Sequence, residues 1–192
     1  MEAKISCPYG MLADEPDELL CEGAELVRFE QYDAFMEKQH AMLACVEMHD
    51  EDGACAYLPA LEAELQRYQE QAYVLDPFLE RLVTPVAQTM RAQVLESSCM
   101  CMAPVARLLY MYTKVRGYKV VSRFFPHQVR ELPLLLDALE RFESPTWECL
   151  YVLLLWLSSV VLVPFPLDRG TPSPSERIHR LSARFLSRPV SY

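Results

Sequence analysis

The chain has 192 residues, of which 52% are hydrophobic and 23% charged, so it is long enough for one domain core or a short run of stacked repeats. Its net charge of −9 argues against a general nucleic-acid binder, because phosphate contacts need a basic surface. Its five glycines lie far apart in sequence, which excludes the Gly-rich loop of a dinucleotide-binding or phosphate-binding site.

The first third of the chain predicts two helices. We expect residues 1–16 to be a flexible N-terminus, because they combine scattered polar residues with proline and glycine. From about Glu18 to Val46, apolar residues recur every three or four positions, which indicates an amphipathic helix. The acidic run before Gly53 is expected to end this helix, with Gly53 in the left-handed cap conformation. A second helix is expected from Pro59 to Tyr73.

Prolines and one glycine divide the middle of the chain. Asp76 followed by Pro77 is typical of a helix start, because the carboxylate can cap free amides and proline suits the first turn. Pro85 predicts a kink or an end near Thr84. A helix is expected from Pro104 to Arg116, where Gly117 stops it, and Tyr118–Phe125 is expected to be a short helix or turn.

The last third predicts two further helices and a tail. An apolar stripe beginning at Val129 and continuing to Leu139 predicts an amphipathic helix, in which Pro133 is irregular. Ser144 and Pro145 are expected to start the most apolar helix, which Pro164–Pro166 ends. Residues 164–175 are rich in proline and serine and predict an exposed loop, followed by a C-terminal helix and tail over 176–192. No stretch alternates long enough to build a sheet, so the fold class is all-α, with one helical domain over 17–163.

The uncharged run from Cys149 to Val163 raises the possibility of a membrane anchor over Trp147–Val163. A membrane-spanning helix needs about 20 apolar residues, and this run is shorter and contains two serines. We therefore expect a helix that is buried on all sides between neighbouring helices, and no membrane span.

Cysteine and histidine residues offer only weak candidates for chemistry. Seven cysteines without a Cys-x-x-Cys pair indicate reduced thiols in a cytosolic protein. His40, Cys45, His49 and Cys55 are close in sequence, but their spacing does not match the tight ligand pairs of zinc sites. None of the four histidines follows a recognisable nucleophile motif. The chain is therefore expected to be neither an enzyme nor a holder of a metal or another cofactor.

A basic cluster surrounds Gly117 and forms the candidate partner-binding patch. The chain up to Glu96 has 20 acidic and 6 basic side chains, whereas the remainder has 7 acidic and 12 basic ones. A contact surface for an acidic partner is one interpretation of the cluster, and favourable placement of cations at a helix C-terminus is the other. The patch consists of five residues: Lys114, Arg116, Tyr118, Lys119 and Arg123.

Several segments in the same order resemble one protein family. Residues 112–119 read Tyr-Thr-Lys-Val-Arg-Gly-Tyr-Lys, residues 125–127 read Phe-Pro-His, and Trp147-Glu148 leads into Leu-Leu-Leu-Trp-Leu-Ser at 153–158. Together with Leu-Asp-Pro-Phe-Leu-Glu at 75–80, they resemble the N-terminal region of the tubulin-folding cofactor D family. The resemblance covers residues from about Leu65 to Phe165.

The resemblance implies a fold and a function. It implies antiparallel helix pairs stacked as a piece of a HEAT- or armadillo-like solenoid. It also implies β-tubulin binding, assembly of the α/β-tubulin heterodimer, and a contribution to GTPase activation within a larger complex. The implied partners are β-tubulin, other tubulin-folding cofactors and a small Arf-like GTPase, in the cytoplasm and at the cytoskeleton.

Near the C-terminus, the resemblance also suggests a deletion. Glu176–Ile178 and Ser182–Pro189 are similar to two family segments that are normally separated by about one more helix, as in a truncated or alternatively spliced product. The alternative function is therefore a generic helical scaffold fragment without independent chaperone activity. Because the final repeat has no evident polar cap, the sequence predicts marginal stability.

Overall fold

A computed structural model describes residues 28–96, 101–142, 145–167 and 171–187. The predicted N-terminus over 1–16 and the start of the first helix near Glu18 lie outside these residues. Within the described residues, eight α-helices occur and no strand. They are α1 (Tyr32–Glu47), α2 (Glu51–Arg67), α3 (Leu79–Glu96), α4 (Met102–Arg116), α5 (Tyr118–Val121), α6 (Glu131–Arg141), α7 (Trp147–Val161) and α8 (Pro174–Leu186).

The helices form a two-layer solenoid of antiparallel pairs. The pairs are α1 with α2, α3 with α4, and α6 with α7. In one layer α2, α4 and α7 stack in succession, and in the other α1, α3 and α6 do so. The layers enclose one continuous apolar core, and α8 packs against α6. The all-α, armadillo-like prediction is therefore confirmed.

The turn between α1 and α2 differs from the prediction. His49, with φ of 58°, takes the left-handed position that was assigned to Gly53. The amide of His49 donates to Val46 O, and that of Asp50 donates to Cys45 O, which together form a Schellman cap. Gly53 instead lies in the first turn of α2, and its amide donates to the Asp50 carboxylate at 2.9 Å.

Two prolines predicted to start or end helices lie inside them. Pro59 is within α2, which begins eight residues before it, and Pro85 is within α3. The predicted start at Pro59 and the predicted interruption near Thr84 are therefore wrong. Packing of both helices against their neighbours offsets the hydrogen bond that each proline cannot donate.

The predicted start at Asp76 and Pro77 is displaced. Both residues belong to a 3₁₀ segment, Ala72–Phe78, that leads into α3 at Leu79. The Asp76 carboxylate accepts hydrogen bonds from Arg116, on a different helix, rather than capping α3 as predicted.

Around Gly117 the prediction is confirmed. Helix α4 ends at Arg116, and Gly117 follows with φ of 94°, a value that favours glycine. The segment after it is the short helix α5 and a 3₁₀ turn, Ser122–Phe124.

The start of α6 explains its irregular proline. The helix begins at Glu131, so Pro133 lies in the first turn, where backbone amides have no partner within the helix. Val129 lies outside the helix and is exposed, contrary to the predicted stripe. The predicted core positions Leu132, Leu135 and Leu139 are buried.

One side of α7 packs against neighbouring helices and the other side is exposed to solvent. Thr146, rather than Ser144, caps it by accepting a hydrogen bond from the amide of Cys149, and Ser144 lies outside the described residues. Trp147 is 58% exposed and Leu154 36% exposed, so the prediction of burial on all sides is wrong. No helix among the described residues is long and apolar enough to cross a membrane.

Helix α8 begins two residues before the predicted Glu176. Ser173 caps it in a capping box with Glu176, and Pro174 occupies the first turn. Because Ser173 is buried, the predicted exposed loop over 164–175 is wrong at its C-terminal end. Helix α8 presents polar residues to solvent above α6 and leaves α7 uncovered. Marginal stability stays a prediction.

Candidate partner-binding surface

The break at Gly117 positions the basic cluster. Because Gly117 ends α4 and α5 begins at the next residue, Lys114 lies before the turn and Lys119 and Arg123 lie after it. Val121 is fully buried and anchors α5 to the core, so its exposed neighbours are held at the surface. The five residues predicted as a patch therefore lie around one corner of the solenoid.

Arg116 is engaged within the fold. Its guanidinium donates to both carboxylate oxygens of Asp76, from Nη2 to Oδ2 at 2.7 Å and from Nε to Oδ1. This hydrogen bonding lowers the pKa of Asp76 and raises that of Arg116. The pair ties the end of α4 to the 3₁₀ segment Ala72–Phe78, which is the role of a structural residue.

The other three cations of the patch differ from Arg116. Within the part of the chain that the structure describes, no carboxylate forms an ion pair with Lys114, Lys119 or Arg123, and all three side chains are exposed. The sequence has no Asp or Glu between Ser97 and Arg130, which explains the lack of local partners. Tyr118 is 50% exposed beside them. The corner therefore presents positive charge and one aromatic ring to solvent.

Arg123 also lies between two clefts. The first, of about 570 Å³, lies between α3, the Ser122–Phe124 turn and the start of α6. The second, of about 510 Å³, lies between the same turn and the end of α7. His127 lines both clefts with Arg123, and its Nδ1 lies 3.1 Å from the carbonyl oxygen of Phe125.

The first cleft is polar, and its buried carboxylate forms ion pairs with neighbouring arginines. Glu131 is 1% exposed at its edge, and Arg91 donates to its Oε2 at 2.8 Å. Arg130 lies 3.5 Å from the other carboxylate oxygen. These contacts join α3 to α6 and neutralise most of the charge, so they stabilise the stack of helices.

Positions weighed for metal binding and catalysis are not assembled into a site. Among the described residues, no group of three or more His, Cys, Asp or Glu side chains lies close enough to hold a metal ion. Cys55 is exposed and Cys101 is buried, and both carry free thiols. Desolvation, partial at Cys55, and nearby carboxylates raise the pKa of each thiol. A raised pKa disfavours the nucleophilic thiolate.

One polar network was not anticipated from the sequence. Gln39 is fully buried, donates to the carbonyl oxygen of Leu82 at 2.9 Å, and accepts a hydrogen bond from the Tyr112 hydroxyl. It joins α1, α3 and α4. Its position in the apolar stripe of α1, four residues after Phe35 and three before Met42, is the signal that could have identified it.

Two comparisons with known proteins find matches. The family described as tubulin-specific chaperone D-like, ARM repeat matches residues 65–189, which include α3 to α8. Tubulin-folding cofactor D of Schizosaccharomyces pombe is 34% identical over 104 residues, covering 54% of this chain. The matched part spans about 9% of that relative's length. No solved structure matches.

Proposed function

Because the chain belongs to the tubulin-specific chaperone D-like family, we propose that it is a non-catalytic β-tubulin-binding module of a tubulin-folding cofactor. The observation that carries this proposal is the family match over 65–189, which includes the whole basic corner. In this proposal the module contributes to α/β-tubulin heterodimer assembly and to GTPase activation of tubulin within a larger complex. Its partners there are other tubulin-folding cofactors and a small Arf-like GTPase, in the cytoplasm and at the cytoskeleton.

The architecture supports a binding role rather than a catalytic one. Stacked helix pairs offer broad surfaces for a protein partner, and affinity arises from shape and charge spread over several helices. Since the matched part spans about 9% of the yeast relative, the module is expected to contribute one contact surface among several.

We assign the contact to Lys114, Tyr118, Lys119 and Arg123. These side chains are exposed, and the three cations have no carboxylate partner among the described residues, so a partner can neutralise them without breaking an internal pair. Arg116 is a positioning residue in this proposal, because its guanidinium is engaged by Asp76.

The test is a pull-down of purified β-tubulin with the full chain and two double variants. Lys119→Glu/Arg123→Glu reverses two charges of the corner and is expected to weaken binding roughly tenfold, with a smaller effect at high salt. Lys38→Glu/Arg81→Glu makes the same charge change at exposed positions on α1 and α3 and is expected to bind as the parent does.

A third variant separates contact from positioning. Arg116→Gln removes the Asp76 pair and is expected to lower the unfolding free energy by about 1 kcal/mol while tubulin binding stays within about twofold of the parent. Equal binding by the parent and Lys119→Glu/Arg123→Glu would contradict the assigned corner. A folded parent that binds no β-tubulin would favour the alternative of a helical scaffold fragment without chaperone activity.

A further inference from the structure

The outward side of α7 carries an apolar stripe. Trp147, Leu154 and Leu162 are 58%, 36% and 84% exposed, and Tyr151 between them is partly exposed. Their spacing of three to eight residues places them on the side of the helix opposite the buried Val152 and Trp156 face. The exposed Ser158 lies on the same side between Leu154 and Leu162, where its hydroxyl donates to the carbonyl oxygen of Leu155. Among the described residues α7 is the last helix in the layer of α2 and α4, so the stripe lies where a further helix could stack.

The stripe leads into the second cleft. Leu162 is its last member and also lines the cleft, together with Val163 and Pro164. Arg123 and His127 line the opposite wall. The surface is therefore apolar along α7 and becomes cationic where the helix ends.

Two exposed cations, Lys119 and Arg123, belong to this end of the surface. Lys119 in α5 and Arg123 in the 3₁₀ turn that directly follows it are four residues apart in sequence, and both are exposed. Within the described residues, neither forms an ion pair. A ligand that covers the apolar stripe and reaches this end must carry negative charge there to be complementary.

We propose that the outward side of α7 and the adjoining cleft form a docking site for an acidic amphipathic helix of a partner protein. The apolar residues of that helix lie along Trp147, Leu154 and Leu162, and its carboxylates lie against Lys119 and Arg123. A helix is the fitting occupant because α7 already packs against α4 in the same layer, side by side, and the stripe offers the equivalent ridge. The inference rests on the proposed function, since it assigns a binding mode to the partner that this function requires.

The experiment uses the full chain and a labelled synthetic helical peptide that carries leucines along one face and glutamates beside that face at one end, to match the apolar stripe and its cationic end. Fluorescence anisotropy is measured for this peptide, for a second in which glutamine replaces glutamate, and for a third in which serine replaces leucine. The first is expected to bind, and the other two are expected to bind at least about tenfold more weakly.

Two variants of the chain locate the site. Leu162→Asp and Arg123→Glu are each expected to weaken binding of the first peptide about tenfold. Their matched controls are Met48→Asp, which changes an equally exposed side chain at the α1–α2 turn, and Lys38→Glu on α1. Both controls are expected to bind as the parent does, and circular dichroism verifies that all four variants are folded.

The outcomes separate this inference from the proposed function. Peptide binding that depends on Leu162 and Arg123, without β-tubulin binding, would support the docking site and contradict the proposed function. Unchanged β-tubulin binding by Leu162→Asp, with no peptide binding by the parent, would contradict the docking site and leave the proposed function in place. Equal binding of the glutamine peptide would show that the site does not require carboxylates, and would overturn the proposal of an acidic partner. A dimer in sedimentation that Leu162→Asp dissociates would show that a second copy covers the stripe, and would also overturn it.

Discussion

Helices α6 and α7 form one pair but are covered differently on the sides that face away from it. Helix α8 packs on α6, where Leu181 is buried and Arg177 donates to Asp137 at 2.6 Å and to Glu140 at 2.7 Å. Arg184 donates to the carbonyl oxygens of Leu139 and Glu140 near the end of α6. On the outward side of α7, by contrast, Trp147, Leu154 and Leu162 are exposed.

The difference shows that the hydropathy of a helix does not reveal how many of its sides are covered. Helix α7 has the most apolar sequence, yet part of its apolar surface faces solvent. Helix α6 has a narrower apolar stripe and is covered by a helix with a strongly polar outer face. In a solenoid, whether a side of a helix is buried depends on whether another helix packs against it. An apolar stripe without such a helix is a binding surface or an aggregation risk.

The largest expected effect compares the two tryptophans of the chain, both in α7. Trp156 is 2% exposed and donates from Nε1 to the carbonyl oxygen of Pro126, so Trp156→Ala is expected to lower the unfolding free energy by about 3–5 kcal/mol. Trp147→Ala removes an edge contact with Tyr110 at a largely exposed position and is expected to cost about 1 kcal/mol. Urea unfolding measures both changes.

Fluorescence provides the control for this comparison. In the Trp156→Ala variant the remaining indole, Trp147, is expected to be readily quenched by acrylamide, and in Trp147→Ala the remaining Trp156 is expected to be protected. Comparable quenching in the two variants would show that α7 is not covered on one side only. The urea midpoint of the parent also tests the predicted marginal stability.

Local signals in the sequence were sufficient where a single residue decides the backbone. Gly117 was predicted to end α4 because few other residues accept a positive φ, and the structure has φ of 94° there. Pro59 and Pro85 misled the prediction because proline in a helix costs only one hydrogen bond and some steric strain, which tertiary packing can offset. The strength of that packing is not visible in a local pattern.

The candidate site was predictable as a cluster but not in its division of roles. Lys114, Arg116, Lys119 and Arg123 are close in sequence, so their grouping needs no structure. Asp76 is 40 residues away in sequence from Arg116, and only the stacking of the helices reveals that its carboxylate accepts hydrogen bonds from Arg116 and from none of the other three. The two clefts beside Arg123 also depend on long-range packing, against α3 and against α7.

A smaller effect is expected from the contact that holds α8 on α6. Arg177→Gln removes its ion pairs with Asp137 and Glu140, and because both carboxylates are partly exposed the expected loss at pH 7 is about 1 kcal/mol. Hydrogen bonding to Arg177 lowers the pKa of Glu140 below its ordinary 4.5. The stabilisation is therefore complete above that value and is lost as the pH falls through the lowered pKa.

The measurement is urea unfolding of the parent and the variant over a range of pH. The two curves of stability against pH are expected to run parallel above pH 5 and to converge below about pH 4. Arg81→Gln, at an exposed position on α3, makes the same substitution away from Glu140, is the matched control and is expected to follow the parent. A constant difference down to pH 2 would show that Arg177 acts through packing of its stem rather than through Glu140.

The smallest expected effect tests the uncovered side of α7 directly. Leu162 is 84% exposed, so Leu162→Ser is expected to change the unfolding free energy by less than about 0.5 kcal/mol. Leu153→Ser makes the same substitution at a fully buried position inside α7, which Leu162 directly follows, and is expected to cost at least about 3 kcal/mol, because it leaves a cavity and buries a hydroxyl group. If Leu162→Ser costs more than about 1 kcal/mol, residues outside the described ranges cover the stripe, and the contrast between α6 and α7 disappears. If its cost is small while it also weakens partner binding, the apolar surface of α7 serves recognition rather than stability.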